Sequence, residues 1–190
     1  MKRERLITMI EVAVMAGLAL VLSYVEFGAL WAMGGSISLV MVPIFVIAFR
    51  RGWKVGLVTG LLVGLLKLIT GGYVVHPVQL ILDYPLPYML LGFAGLFASA
   101  KGLAPKIGSL ITGLLVATVL RFFSHYASGV IWFGEYAPDG MNPKVYSVFY
   151  NLSYLIPEML ITLGVLILLA RSYPQFFIGS KKNPQSSSAA

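Results

Sequence analysis

The sequence predicts an all-α integral membrane protein of six transmembrane helices with both termini on the cytoplasmic side. Three observations lead there. Hydrophobic residues make up 58% of the chain and charged residues 11%, against about 45–50% and about 25% in soluble domains. Six apolar segments are separated by Gly/Pro-rich or basic breaks. Finally, basic residues collect in alternate breaks, so the formal charge of +7 reads as membrane topology before nucleic-acid binding. No nucleic-acid partner is expected. The absence of cysteine excludes disulfides and thiolate chemistry. A single membrane domain over residues 1–178 is expected, followed by a polar, Ser-rich tail over 179–190 without fixed structure.

Taken in order, residues 6–25 are long enough to span at about 1.5 Å per residue and follow Lys2, Arg3 and Arg5. Their basic start imitates a signal peptide, but the length of the run and the spans after it argue for a retained first helix. Within it, Glu11 is expected to pair with Arg3 or Arg5. Residues 26–36 form a Gly-rich break containing Trp31. Residues 37–49 are a second apolar segment, short for an upright span and interrupted by Pro43. After the basic cluster Arg50, Arg51 and Lys54, residues 55–69 carry Gly56, Gly60 and Gly64 at four-residue spacing, a close-packing signature in membrane helices.

The fourth span opens at His76-Pro77 and runs to about residue 100. It contains the least lipid-compatible stretch, Leu82-Asp83-Tyr84-Pro85-Leu86-Pro87-Tyr88. A carboxylate at mid-bilayer costs roughly 2.5–3.5 kcal/mol on insertion scales, so it is expected to face protein or water. Two readings of Asp83 stand together: a cap for a helix starting near Pro85, and a member of a ligand pocket. The fifth span, 107–130, carries Arg121, Ser124, His125, Tyr126 and Ser128. A polar loop over 131–145 leads to the sixth span, 146–169, which includes Asn151, Pro157 and Glu158. Lys67 and Arg121 are expected to snorkel or to partner Asp83, while Glu158 stays open between a structural and a proton-handling role.

Charge placement supports the count of six. Eleven Lys and Arg fall at the N-terminus, in the 50–54 and 101–106 turns and at the C-terminus, whereas the three opposite loops hold only Lys144. Under this topology Trp31, Tyr73, His76, Asp83, Tyr84, His125, Tyr126, Ser128, Trp132, Tyr136, Tyr146, Tyr150 and Asn151 share the outer side. Interfacial aromatics need no function, but Asp83, His125 and Asn151 at the same level do not fit that account. A carboxylate ringed by aromatic faces suits a small organic cation, attracted by roughly 0.5–2 kcal/mol per desolvated ring. No HExxH, GxSxG or Walker motif is present, so no enzymatic activity and no cofactor are expected, and any ATP-driven step needs another chain.

These features resemble the substrate-binding S-components of energy-coupling-factor vitamin transporters. Asp83-Tyr84, His125-Tyr126-Ala127-Ser128-Gly129, Trp132, and Tyr146 through Tyr150-Asn151 look like the thiamine-specific member. The resemblance covers nearly the whole chain except the tail. It implies a bacterial, multi-pass cell-membrane protein that presents thiamine from an outward-facing pocket to a transmembrane scaffold subunit and two ATPases. It implies that Asp83 binds the aminopyrimidine, Tyr84 and Asn151 hold that ring, and Trp132 stacks on the thiazolium. His125 and Tyr146 would line the pocket beside Ser128, Gly129 and Tyr73, and Trp31 would close over the ligand. Close relatives are expected to carry Glu at the position of Asp83, one methylene longer. Ala13 and Gly17 match a small-residue face used against the scaffold subunit. Two other readings remain: a stand-alone proton-coupled carrier relaying through Glu158 or Asp83, and an S-component for a related vitamin or thiamine precursor.

Overall fold

A computed structural model describes residues 2–27, 35–99 and 103–178. The expected tail over 179–190 and Trp31 lie outside the described residues. Among those described, the regular structure is entirely helical: α1 (Lys2–Ser23), α2 (Met41–Arg51), α3 (Trp53–Gly71), α4 (Pro77–Asp83), α5 (Pro85–Leu91), a 3-10 segment Gly92–Phe97, α6 (Ile107–Trp132) and α7 (Pro143–Ser172). Five stretches are long and apolar enough to cross a bilayer: α1, α3, the interrupted run Pro77–Phe97, α6 and α7.

The second expected span takes a different form. Only 11 residues of it are helical, about 16 Å at 1.5 Å per residue, well short of a hydrocarbon core of about 30 Å. The chain before it, residues 35–38, is irregular. Such backbone is tolerated at membrane depth only inside protein, and α2 is indeed enclosed, with every residue from Met41 to Phe49 buried. Pro43 does not interrupt this helix. It falls in the first turn, where a missing N–H leaves no hydrogen bond unmade.

Both terminal regions meet the end of α2. Arg50 Nη2 and Arg51 Nε contact the Glu11 carboxylate at 3.1 and 2.5 Å, and Arg51 Nη2 adds a third bond at 2.7 Å. Arg50 Nη1 donates to the carbonyls of Gln175, Phe176 and Ile178 at 2.9–3.1 Å. Glu11 therefore pairs with α2, not with Arg3 or Arg5 as expected. Those two arginines are exposed, whereas α2 offers two guanidinium forks to a half-buried carboxylate, the geometry that makes charge-assisted bonds strong.

Along α3 the glycine row decides what can approach. A Cβ on Gly56 would sit 2.7 Å from Ala48 Cβ and 2.9 Å from Gly92 Cα, and one on Gly60 or Gly64 would overlap the carbonyl oxygens of Tyr88 and Tyr84. The bare face lets the backbone of α5 lie directly on α3. That contact fixes the depth at which the Asp83–Tyr84 break sits. The expected close packing is thus between α3 and the interrupted span.

Replacing Gly60 by Ala should lower the apparent Tm in detergent and cost about 1–3 kcal/mol or more, as overpacking does. Gly17→Ala, with nothing within 4 Å of the added Cβ, should leave the melting curve close to wild type. Thermal unfolding of the two variants side by side checks this.

Candidate functional site

The site begins where α4 stops. His76 caps α4 by accepting the Val78 N–H on Nδ1 at 3.1 Å, with Pro77 at the first helical position, where its missing donor is harmless. The helix ends after seven residues at Asp83, and Pro85 starts α5. The side chain of Asp83 caps nothing; Tyr84 is the capping residue of α5 and makes no side-chain cap bond. The capping reading of Asp83 is therefore set aside. Pro85 and Pro87 stand in the first turn of α5 and lack no bond there, but the carbonyls at the end of α4 lose donors that a continuous helix would have given them. Part of the deficit is met by α6, whose Ser124 hydroxyl donates to the Leu82 carbonyl at 2.6 Å.

Freed from capping, the Asp83 carboxylate accepts three bonds from side chains. Gln79 Nε2 and Ser128 Oγ reach Oδ2 at 2.7 and 2.6 Å, and His125 Nδ1 lies 3.2 Å from Oδ1. His125 Nε2 faces Arg121 Nε at 3.4 Å. Since a guanidinium only donates, this network assigns the proton to Nδ1, which donates to Asp83. Arg121 continues to Glu158 at 2.9 Å, with both side chains nearly inaccessible (4% and 1% exposed), and its guanidinium lies 4.9 Å over the Tyr88 ring. Glu158 in turn accepts from Ser38 at 3.2 Å. A continuous polar chain thus links α4, α6, α7 and the segment before α2. Arg121 does not snorkel, and among the described residues neither it nor Lys67 pairs with Asp83. The physical reason is that Glu158 offers Arg121 a buried carboxylate directly across the α6–α7 contact.

Above this chain lies a cavity of about 520 Å³, within the roughly 300–1,000 Å³ of small-molecule sites. Asp83, Tyr84, Tyr73, His125, Gly129, Tyr146 and Asn151 all line it. At Gly129 an added Cβ would meet Ser147 Oγ, so the glycine lets that hydroxyl lie against α6. Ser147 Oγ donates to the Tyr126 carbonyl at 3.1 Å, closing the α6–α7 crossing beneath the cavity. Asn151 is held by its own helix, donating to the Ser147 carbonyl at 2.8 Å and accepting from Tyr154 OH at 2.7 Å. Ser128 is fully buried and stands behind Asp83. Trp132 stacks on His76, ring centroids 5.2 Å apart, while its neighbour Phe133 faces the cavity. At the mouth, the Tyr136 phenol is pushed up chiefly by the neighbouring Tyr73 ring hydroxyl.

Further lining residues were not anticipated as site residues: Gln79, Arg121, Ser147, Tyr88, Tyr154, Lys67, Glu26 and Tyr24. A signal for some existed. Arg121, His125 and Ser128 fall at i, i+4 and i+7, as do Ser147, Asn151 and Tyr154, so each set shares one helix face. Gln79 stands four residues before Asp83. Nothing in the local pattern marks Glu26 or Lys67.

A helical membrane protein with an aromatic-lined polar cavity near one end has the architecture of a ligand-binding membrane protein. Residues 9–178 match the family model described as "Thiamine transporter protein (Thia_YuaJ)". The chain is 38% identical to the thiamine transporter ThiT of Bacillus subtilis strain 168, covering 94% of this chain and 97% of the relative. It is 31% identical to ThiT of Lacticaseibacillus paracasei over 100% and 99%. The solved structure of ThiT from Listeria monocytogenes superposes with a TM-score of 0.84 at 32% identity, over 93% of this chain and all of that one. The S component of a bacterial ECF transporter shares the fold, with a TM-score of 0.61 at 22% identity over 93% and 98%. The chain belongs to the thiamine transporter protein family, which is a transporter family and not an enzyme family.

Removing one member of the buried Arg121–Glu158 pair strands the other charge, which typically costs about 3–5 kcal/mol. Arg121→Met and Glu158→Gln should each lower the Tm markedly. The double substitution Arg121→Met/Glu158→Leu should recover part of the loss. Thermal melts of the three proteins in one detergent measure the coupling.

Proposed function

We propose that this protein is the thiamine-binding S-component of an energy-coupling-factor importer. The observation that carries the reading is the Asp83 carboxylate, presented by protein donors at the wall of an aromatic-lined cavity in a chain of the thiamine transporter family. Thiamine offers an aminopyrimidine donor for Asp83 and a cationic thiazolium for ring faces. In this reading Asp83, with Tyr84 and Asn151, holds the pyrimidine. His125 contributes mainly its ring, since both of its nitrogens already face protein partners. Tyr146, Tyr73 and Gly129 shape the walls, and Ser128 supports Asp83 from behind. Trp132, stacked on His76, keeps the thiazolium-stacking role implied by the resemblance, with Phe133 beside it at the cavity wall. Trp31 retains the covering role implied by the resemblance.

The topology belongs to the same proposal. The cavity end faces outward and the end gathering Glu11, Arg50, Arg51 and residues 175–178 faces the cytoplasm, so that both termini are inside. Residues 35–51 make the sixth traverse, from Gly35 and Ser36 at the cavity to Arg50. The setting is a bacterial cell membrane, and the partners are lipid, one scaffold subunit and two ATPases. Ala13 is exposed and Gly17 is only partly covered, leaving the small-residue face of α1 open for the scaffold. The carrier alternative finds Glu158 already engaged by Arg121 and Ser38.

Titration of the purified protein with thiamine, followed by tryptophan fluorescence and calorimetry, should show saturable binding. Absence of any signal at micromolar ligand would sink the proposal. Asp83→Asn should weaken binding roughly 10–100-fold, the range for a lost hydrogen bond to a charged group. In liposomes, uptake should require the scaffold and ATPases. Accumulation by this chain alone under a pH gradient would favour the carrier.

A further inference from the structure

Gln79 is one of the most enclosed polar side chains in the protein, 1% exposed, yet it borders the cavity. Its amide is fully committed. Nε2 donates to Asp83 Oδ2 at 2.7 Å and to the Tyr73 carbonyl at 3.2 Å, and Oε1 accepts the Val75 N–H at 3.1 Å. A flipped amide would set oxygen against oxygen at two places and N–H against N–H at the third, so the network permits one orientation. The same outer turn is tied a second time, because the Tyr84 hydroxyl accepts the Tyr73 N–H at 2.6 Å.

The distribution of donors on Asp83 is uneven. Among the described residues, Oδ2 takes both Gln79 and Ser128, whereas Oδ1 takes only His125. An ionised carboxylate has about four acceptor positions, so the unused one lies on Oδ1. From this we infer that Gln79 is a positioning residue for substrate recognition. It fills Oδ2, holds the carboxylate plane, and leaves Oδ1 as the single acceptor open to a ligand N–H, thereby setting selectivity for a substrate with an exocyclic ring amine. It also ties that selectivity to the 73–75 turn, because the amide that orients Asp83 is the one that holds Tyr73 and Val75. Gln79 itself contributes no free donor to the ligand. The inference rests on the thiamine-binding reading above.

The test compares two ligands, thiamine and its analogue lacking the pyrimidine 4′-amine, on wild type, Gln79→Met and Gln79→Glu. Methionine keeps the length and loses every hydrogen bond. Glutamate keeps length and shape but turns the donor towards Asp83 into an acceptor. Wild type should prefer thiamine over the deamino analogue by roughly 10–100-fold, as expected of a site built around a hydrogen bond to a charged group. In Gln79→Met the preference should shrink by at least about tenfold, mainly through weaker thiamine binding with the analogue little changed. Gln79→Glu should shrink it at least as much, and its Tm should fall as well, because a second buried carboxylate then faces Asp83. Equal weakening of both ligands in both variants would make Gln79 a merely structural residue and overturn the inference, as would an unchanged preference. A wild-type chain that binds neither ligand would remove the functional reading and this inference with it. A wild type that binds thiamine without preferring it over the analogue removes this inference alone.

Discussion

Hydrocarbon offers no water to a broken helix, and the break between Asp83 and Pro85 is the constraint around which the rest of this structure is arranged. Every polar group exposed by the break must be satisfied by protein. Ser124 on α6 supplies the Leu82 carbonyl, and His125 and Ser128 on the same helix face supply Asp83. Gln79, one turn earlier, adds a third donor to the carboxylate. A helix that lipid would penalise becomes tolerable because a second helix presents three polar side chains at helical spacing. The same arrangement leaves a carboxylate at a cavity wall with an acceptor position to spare. Stability and recognition are served by one set of bonds.

The break also needs room, and α3 provides it by omission. Gly60 and Gly64 let the Tyr88 and Tyr84 carbonyls come so near that no side chain fits between. On the other side, Gly129 lets α6 close on Ser147 of α7. A backbone-to-backbone approach thus seats α5 on α3, a glycine-to-serine contact closes α6 on α7, and the cavity is the space left near one end. Deeper in, the Arg121–Glu158 pair joins α6 to α7 with nearly complete exclusion of solvent. Such a pair is weak evidence for stability in itself. Its position, bonded to His125 above and to Ser38 beside it, makes it a register pin for three elements.

Much of this was legible along the chain. Of the six spans read from the apolar runs, five match helices long and apolar enough to cross a bilayer to within a few residues, since length and hydropathy are local properties. The glycine spacing of α3 announced a bare face, and the Asp83-Tyr84 motif announced a polar feature that lipid would not accept. What failed did so for identifiable reasons. Pro43 looked like an interruption because its place in a first turn depends on where α2 begins, and that start is set by packing. Glu11 was paired with the nearest cations in sequence, but its actual partners come from a helix some forty residues on. Asp83 as a cap was a sound local reading of Asp followed by Pro, displaced by three stronger donors that only the fold supplies.

The sequence by itself therefore determined the solvent for which this protein is made, the rough extent of five long helices, and the residues that lipid could not tolerate unpaired. These follow from composition and from periodicity within each segment. Only the tertiary structure decided which groups satisfy Asp83, that Arg121 belongs to Glu158, that α2 is a short enclosed helix, and that Gln79 stands at the cavity. Each is a contact between elements or a fine choice of side-chain direction, and sequence spacing carries no information about which helix becomes a neighbour. Hydrogen bonds act over about 3 Å, so partner choice is settled only when the helices have packed.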